Sequence, residues 1–93
     1  MSRLIYPKTA AELLDYGWDW SSWLGVDTLL SSAWIVDAGI TVSGQSNDES
    51  STKLWLSGGD LAIRYRITNR VTTLAGRTAE RSFWVRIVEV RTA

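Results

Sequence analysis

The chain contains no cysteine and no histidine, and these two absences exclude several classes of chemistry. Without cysteine there is neither a disulfide nor a thiolate metal site. Without histidine, the Ser-His-Asp and Cys-His nucleophilic systems are excluded as well. We therefore expect a protein that is not an enzyme, that uses no cofactor and no metal, and whose stability comes from packing.

Long apolar runs are also missing. No stretch approaches the roughly 18 apolar residues of a membrane-spanning helix. No basic segment followed by an apolar one has the pattern of an export signal. The sequence thus predicts a soluble protein that is made in a cytoplasm and has no membrane partner.

Tryptophan, by contrast, is abundant: the chain has six in 93 residues. A domain of this size buries only roughly 60–65% of its unfolded surface, so large aromatic side chains are an efficient way to build its core. Tyr16, Trp18 and Trp20 alternate along one predicted strand, and Trp34 lies on another. We expect these four in the core, whereas Trp23 follows a Ser-Ser break and its direction stays undetermined.

Charge is balanced overall but unevenly distributed. Residues 1–60 hold three basic and eight acidic side chains, and residues 61–93 hold seven arginines and two glutamates. In a compact β domain, strands from both halves interleave, so we expect much of this separation to cancel locally. Nucleic acid is therefore not an expected partner. Self-association between an acidic and a basic patch is a more plausible use of the charges.

Short alternating segments separated by turn residues fill the chain from residue 15 onward. The first predicted strand begins at Asp15 and contains the alternating aromatic residues. The others cover residues 28–36, 40–43, 52–57, 61–73 and 81–90. A polar loop spans 44–51, and a hairpin turn at 75–77 uses Gly76 for positive φ. This spacing indicates an all-β fold, an antiparallel β-sandwich of the immunoglobulin or fibronectin-III type.

Residues 1–14 precede this pattern and are predicted to form an N-terminal arm to a domain of residues 15–93. Thr9 and Glu12 fit a capping box, which favours a short helical turn over 10–14. The alternative is an extended segment carrying Leu4, Ile5 and Tyr6, ended by Pro7. Such a segment could add to the sheet of a neighbouring molecule.

Two sets of polar side chains could form a catalytic or a cation-binding site. Asp15 and Asp19 lie four residues apart on a predicted strand, hence about 13 Å apart at roughly 3.3 Å per residue. That separation is too large for the paired carboxylates of a glycosidase. Asn47, Asp48 and Glu49 offer oxygen ligands, but their spacing lacks the EF-hand pattern, and a cation in this loop stays an open question.

Strand alternation predicts that Trp55 and Trp84 face outward, each opposite the apolar residues that flank it. Lys53 and Arg86 lie beside them. Three interpretations are open: a protein-docking surface, a platform on which sugars or single strands stack, or rings covered by arginine stems.

Taken together, the motifs resemble a family of small virion proteins of tailed phages, immunoglobulin-like domains described as fibre–tail adaptors. The matching elements are Asp15-Tyr16, Asp19-Trp20-Ser21, Ser31-Ser32-Ala33-Trp34, Trp55 to Gly59, Thr68 to Thr73, Gly76-Arg77 and Arg81-Ser82. One departure is Phe83-Trp84, where smaller β-branched residues are expected, and it is interpreted as a partner-specific contact.

The resemblance implies a non-enzymatic structural protein that docks on the tail or head and attaches another virion protein, such as the tail fibre. It further implies several copies in a symmetric assembly, located in the virion after synthesis in the host cytoplasm. The alternatives are a capsid or tail-tube decoration protein and, in a different class, a small carbohydrate-binding module. The residues expected at protein interfaces are Leu4, Ile5, Tyr6, Trp55, Arg64, Arg66, Trp84 and Arg86.

Overall fold

The computed structural model describes residues 4–90, so the first three residues of the predicted arm and the last three of the predicted domain lie outside the described range. Seven strands and one helical turn follow one another within it. Their bounds are β1 Ile5–Thr9, β2 Leu14–Asp19, α1 Ser21–Leu24, β3 Leu29–Val36, β4 Ile40–Asn47, β5 Ser51–Gly58, β6 Arg64–Thr73 and β7 Thr78–Val88. No helix among these residues is long and apolar enough to cross a membrane.

The strands form two sheets, and this confirms the all-β prediction. One sheet has the order β1-β7-β6-β3 and the other the order β2-β5-β4. All neighbours pair antiparallel except β1, which runs parallel to β7. The expectation of a purely antiparallel fold was wrong at this edge. A parallel pair needs a long connection, and here five strands and α1 lie between its two members.

The core lies between the two sheets and follows from period-2 alternation in β5, β6 and β7. Its buried residues are Ile40, Leu54, Leu56, Tyr65, Ile67, Phe83, Val85 and Ile87. Phe83 is only 2% exposed and occupies the middle of an aromatic cluster. The interpretation of Phe83 as a partner contact was therefore wrong, since its side chain points between the sheets.

The aromatic cluster surrounds Phe83 with four rings. The ring centroids of Tyr6, Tyr16, Trp18 and Trp34 lie 5.3–6.3 Å from that of Phe83. Tyr16, Trp18 and Trp34 are thus directed into the core as predicted, although each is only partly buried. Such tilted and edge-on ring pairs stabilise a small core beyond the area they bury.

A second apolar cluster closes one end of the sandwich around Trp20, Leu24, Leu29 and Val71. Trp20 is 1% exposed and confirms the prediction of a core tryptophan. Its indole N–H donates to the Asn69 side-chain oxygen at 3.0 Å. The helical turn α1 was not predicted, because four residues carry too little periodicity to be recognised.

Several predictions of local structure differ from the fold, and β7 also begins earlier than predicted, at Thr78. The polar residues 44–47 continue β4 instead of forming a loop, because an edge strand can expose polar side chains. Residues 61–63 form a turn before β6, in which Ile63 N–H donates to Asp60 O and Ala62 has φ 66°. Residues Thr9–Glu12 form a tight turn and no helix, with Thr9 N–H donating to the Glu12 carboxylate at 2.7 Å.

The predicted arm lies within the chain's own sheet as the edge strand β1. Lys8 is buried, and its ammonium group donates to Thr9 O at 2.9 Å and to Gly58 O at 2.8 Å. Desolvation lowers the pKa of Lys8, and the nearby Glu12 carboxylate opposes this effect. The second hydrogen bond links β1 to the end of β5, so this side chain ties together the two sheets.

Candidate interaction surfaces

On the strands, basic side chains are concentrated in one of the two sheets. The strands of the four-stranded sheet carry six basic side chains and one acidic one, whereas those of the three-stranded sheet carry two acidic and one basic. The reason is topological: β6 and β7, which hold most of the arginines, pair with each other, and β2, β4 and β5 form the other sheet.

The outer side of the four-stranded sheet presents a basic and aromatic surface. Cross-strand register places Ile5 beside Trp84 and Trp84 beside Arg66, and the next outward row pairs Arg86 with Arg64. The Arg64 guanidinium lies 5.9 Å from the centre of the Trp84 ring. We call Ile5, Arg64, Arg66, Trp84 and Arg86 the basic face.

The arginines of the basic face differ in their pairing from the arginine next to them. Arg70, one pair further along β6, makes a 2.7 Å ion pair with Glu80. Within residues 4–90, neither Arg66 nor Arg86 makes an ion pair with an acidic side chain. Both side chains are exposed, and the Asp37 carboxylate next to Arg66 accepts a hydrogen bond from the Arg66 backbone N–H at 2.8 Å.

Trp84 and Trp55 lie on opposite sides of the sandwich. Trp84 faces outward as predicted but is half-buried, whereas Trp55 is 39% exposed on the outer side of the three-stranded sheet. There it pairs with Asp15 on β2 and Gly44 on β4, near the 3.7 Å ion pair between Asp15 and Lys53. The two rings therefore do not form one stacking platform.

The predicted arm residues divide between two environments. Leu4, Ile5 and Tyr6 are each 40–44% exposed. Ile5 belongs to the basic face, whereas the Tyr6 ring packs against Tyr16 and Phe83. Leu4 O accepts a hydrogen bond from Trp84 N–H at 2.8 Å. This segment is thus already paired with its own chain.

A cluster at the α1 end of the sandwich escaped the sequence reasoning. The Arg77 guanidinium lies 4.2 Å from the Trp23 ring centre and donates to the Asp27 carboxylate at 3.1 Å. Arg81 lies 4.1 Å from the Trp20 ring centre. The Gly-Arg and Arg-Ser motifs were a signal for these contacts, in which each guanidinium stacks on a tryptophan ring. Trp23 is thus half-buried beneath Arg77.

Asp27 is tightly hydrogen-bonded in this cluster. Its pKa is lowered to about 2, chiefly by the Thr73 hydroxyl and further by the Thr28 and Ala75 N–H groups and by Arg77, against an opposing desolvation effect. The carboxylate therefore holds the α1 loop to the β6–β7 hairpin as an anion.

The other acidic candidates have local structural partners. Asp48 accepts hydrogen bonds from the Ser50 and Ser51 N–H groups, and Asp19 accepts one from Ser21 N–H. The Ser21 hydroxyl and then its N–H lower the pKa of Asp19, and the Ser50 and Ser51 N–H groups lower the pKa of Asp48. Among residues 4–90 no three acidic side chains are grouped so that they could hold a metal ion.

A family model described as podophage GP4 fiber-tail adaptor protein gp77 matches residues 8–86. The chain belongs to this family. The matched span begins in β1 and ends in β7, so it includes both sheets and all of the basic face except Ile5. The family predicted from the motifs is thereby confirmed, and with it the role of a virion adaptor that binds other virion proteins. A separate comparison with curated proteins finds no match for the adaptor.

Proposed function

We propose that the adaptor attaches a tail fibre, or another virion protein, to the particle through the basic face, and that it does so as a non-enzymatic structural module. The observation that carries this proposal is that, among residues 4–90, the exposed side chains of Arg66 and Arg86 make no ion pair and lie beside a half-buried tryptophan. Arginine and tryptophan around a rigid centre are the side chains that dominate protein-binding energy.

The fold we infer for this module is an immunoglobulin-like sandwich. Its support is the strand order of the two sheets and the hydrogen bond that Tyr65, near the start of β6, accepts from Asp60 N–H at 2.9 Å. A tyrosine that bonds to backbone a few residues upstream at this corner is typical of such domains. Trp34 on β3 packs against the core, which also fits that architecture.

The same proposal includes several copies of the adaptor in a symmetric assembly. These copies are made in the host cytoplasm before they enter the particle. The partner on the basic face is then an acidic surface of a fibre or tail subunit. Trp55, on the opposite side of the sandwich, is available for a second virion protein. Two binding sides are what a protein that joins two others requires.

The test reverses charge at one position at a time. Arg66→Glu and Arg86→Glu place negative charges on the basic face, whereas Arg70→Glu makes the same change at an arginine outside it that already pairs with Glu80. We expect the first two variants to reduce the amount of adaptor in purified particles by roughly tenfold, the equivalent of about 1.4 kcal/mol, while the control variant is incorporated normally.

Quantitative immunoblotting of particles measures the incorporation, and circular dichroism of the purified variants verifies their folding. Normal incorporation of both basic-face variants would show that another surface does the docking. Equal losses in all three would indicate a general effect of charge.

A further inference from the structure

Four strands within residues 4–90 lie at sheet edges, and three of them carry features that discourage pairing with another chain. β1 contains Pro7, which has no N–H, and the buried Lys8. β2 carries Asp15 and Asp19. β4 is interrupted by a bulge between Val42 and Gly44. Proline, charge and bulges are the usual ways in which proteins protect sheet edges.

The fourth edge strand, β3, lacks these features over most of its length. Its eight residues include no charged side chain and no proline. Its one irregularity lies between Leu29 and Ser31, so the strand is regular from Ser31 to Val36. Leu30 is 62% exposed and Ile35 is 46% exposed. In an antiparallel sheet, alternate N–H and C=O groups of such an edge point away from its one neighbour.

We propose that β3 pairs antiparallel with β3 of a second copy of this chain, about a twofold axis near Ala33. The four-stranded sheet then continues across the interface into a sheet of eight strands. In this register Ala33 faces its own copy, and Ser31 faces Ile35 of the other molecule.

The sequence of β3 favours a second copy over a different partner strand, because the strand is self-complementary. A twofold axis at position 33 places that residue opposite its own copy, so a charged residue there would meet a like charge. β3 has none, and the residues next to its centre, Ser32 and Ala33, are small enough for close approach. β4, which follows β3 and lies at the edge of the other sheet, is also free of charged residues.

The pairing also explains the exposure of Ile35. Its side chain lies on the outer side of the sheet with Ala33, while Trp34 between them packs against the core. Strand pairing would cover Ile35 with the Ser31 residue of the second copy, and it would satisfy the edge groups between Ser31 and Ile35 of both chains. At the start of the strand, Leu29 N–H already donates to Glu49 O at 2.8 Å.

The first test measures association of the purified chain by sedimentation over a range of concentrations. We expect a concentration-dependent dimer. Ala33→Lys places two ammonium groups opposite each other on the axis and should weaken the dimer by at least about tenfold, as like charges directly opposed are destabilising. Thr78→Lys, an equally charged change at an exposed site on the same sheet, should leave it intact.

The second test uses the absence of cysteine, because a single introduced thiol can only link two chains. Under mild oxidation, Ala33→Cys should form covalent dimers, whereas Thr78→Cys should not. Ser31→Cys mixed with Ile35→Cys should link far better than either variant alone, because directly opposed positions bring Cβ atoms to about 4.5–5.5 Å.

A chain that stays monomeric at every concentration would overturn the proposal and would leave the edge to a strand of another virion protein. A dimer that Ala33→Lys does not weaken, or cross-linking that is equal at positions 33 and 78, would place the interface elsewhere. Small cysteine substitutions keep the proposal testable if the lysine variant fails to fold. The proposal does not depend on the basic face, whose test is incorporation into particles.

Discussion

Asn69 shows how a single side chain organises this fold. It is fully buried, and its oxygen accepts hydrogen bonds from the Trp20 indole and the Thr52 hydroxyl. Its nitrogen donates to the Ser32 hydroxyl at 2.9 Å and to Ala33 O at 3.1 Å. One amide thus joins three strands and the segment before α1.

Replacing Asn69 with alanine should therefore cost about 2–4 kcal/mol of unfolding free energy, because buried donors on Trp20 and Thr52 lose their acceptor. Urea denaturation followed by tryptophan fluorescence measures this loss. Asn47→Ala, at an exposed position of β4, should change the free energy of unfolding by less than about 0.5 kcal/mol. Equal midpoints for the two variants would contradict the role assigned to the amide.

Asp27 gives a pH dependence at the same scale. Its folded-state pKa of about 2 lies below the value of roughly 3.9 in an unfolded chain. The stabilisation is therefore present above the unfolded pKa and is lost as the pH falls through the folded pKa. Asp27→Asn should lower stability at neutral pH and flatten the decline between about pH 5 and pH 2.

Thermal unfolding at a series of pH values measures both curves for Asp27→Asn. Asp60→Asn is the control for the loss of one negative charge. If stability falls equally with decreasing pH in the wild-type chain and in Asp27→Asn, other carboxylates govern the stability in acid.

At the scale of elements, the turn between β5 and β6 depends on glycine. Gly59 has φ 101°, and a Cβ atom there would lie 2.6 Å from the Ile87 side chain. Gly76, in the β6–β7 hairpin, has a similar φ of 93° but open space around it. The two glycines therefore separate backbone strain from steric overlap.

Gly76→Ala should destabilise the chain by about 1–2 kcal/mol, the cost of a left-handed conformation for an L-residue. Gly59→Ala should cost roughly 1–3 kcal/mol more, because its methyl group also overpacks the core. Urea denaturation of both variants compares them directly. If the two losses of stability are equal, the Ile87 side chain moves away from the added methyl group without cost, and the close contact does not affect stability.

Much of the strand content could be predicted at this scale, and the partners of the strands could not. Alternation identified β3 and β5 to within one residue at each end, because period 2 is a local property. The parallel docking of β1 and the separation of charge onto one sheet depend on which strands become neighbours. Which strands become neighbours depends on packing between residues far apart in the chain, so local periodicity does not predict it.

At the scale of the whole molecule, the fold gathers basic side chains on one sheet. Most arginines of the second half of the chain lie on β6 and β7, whereas the strands of the other sheet carry two acidic side chains and one basic one. The outward placement of Trp84 beside arginines was predictable from parity alone. The position of Trp55 on the opposite side of the sandwich was not predictable. Alternation along a strand shows which side of its own sheet a residue occupies, but not which sheet the strand joins.

The parallel pairing of β1 with β7 has a mechanical consequence. Leu4 enters β1 and Val90 follows β7, and the two strands point the same way, so a pull that separates these ends draws them past each other lengthwise. Under such shear, the hydrogen bonds of the five paired residues share the load and must break together, whereas a hairpin pulled open breaks them one at a time. Lys8, bonded to the other sheet, adds a further point of resistance. A domain built in this way resists tension best along the line between Leu4 and Val90.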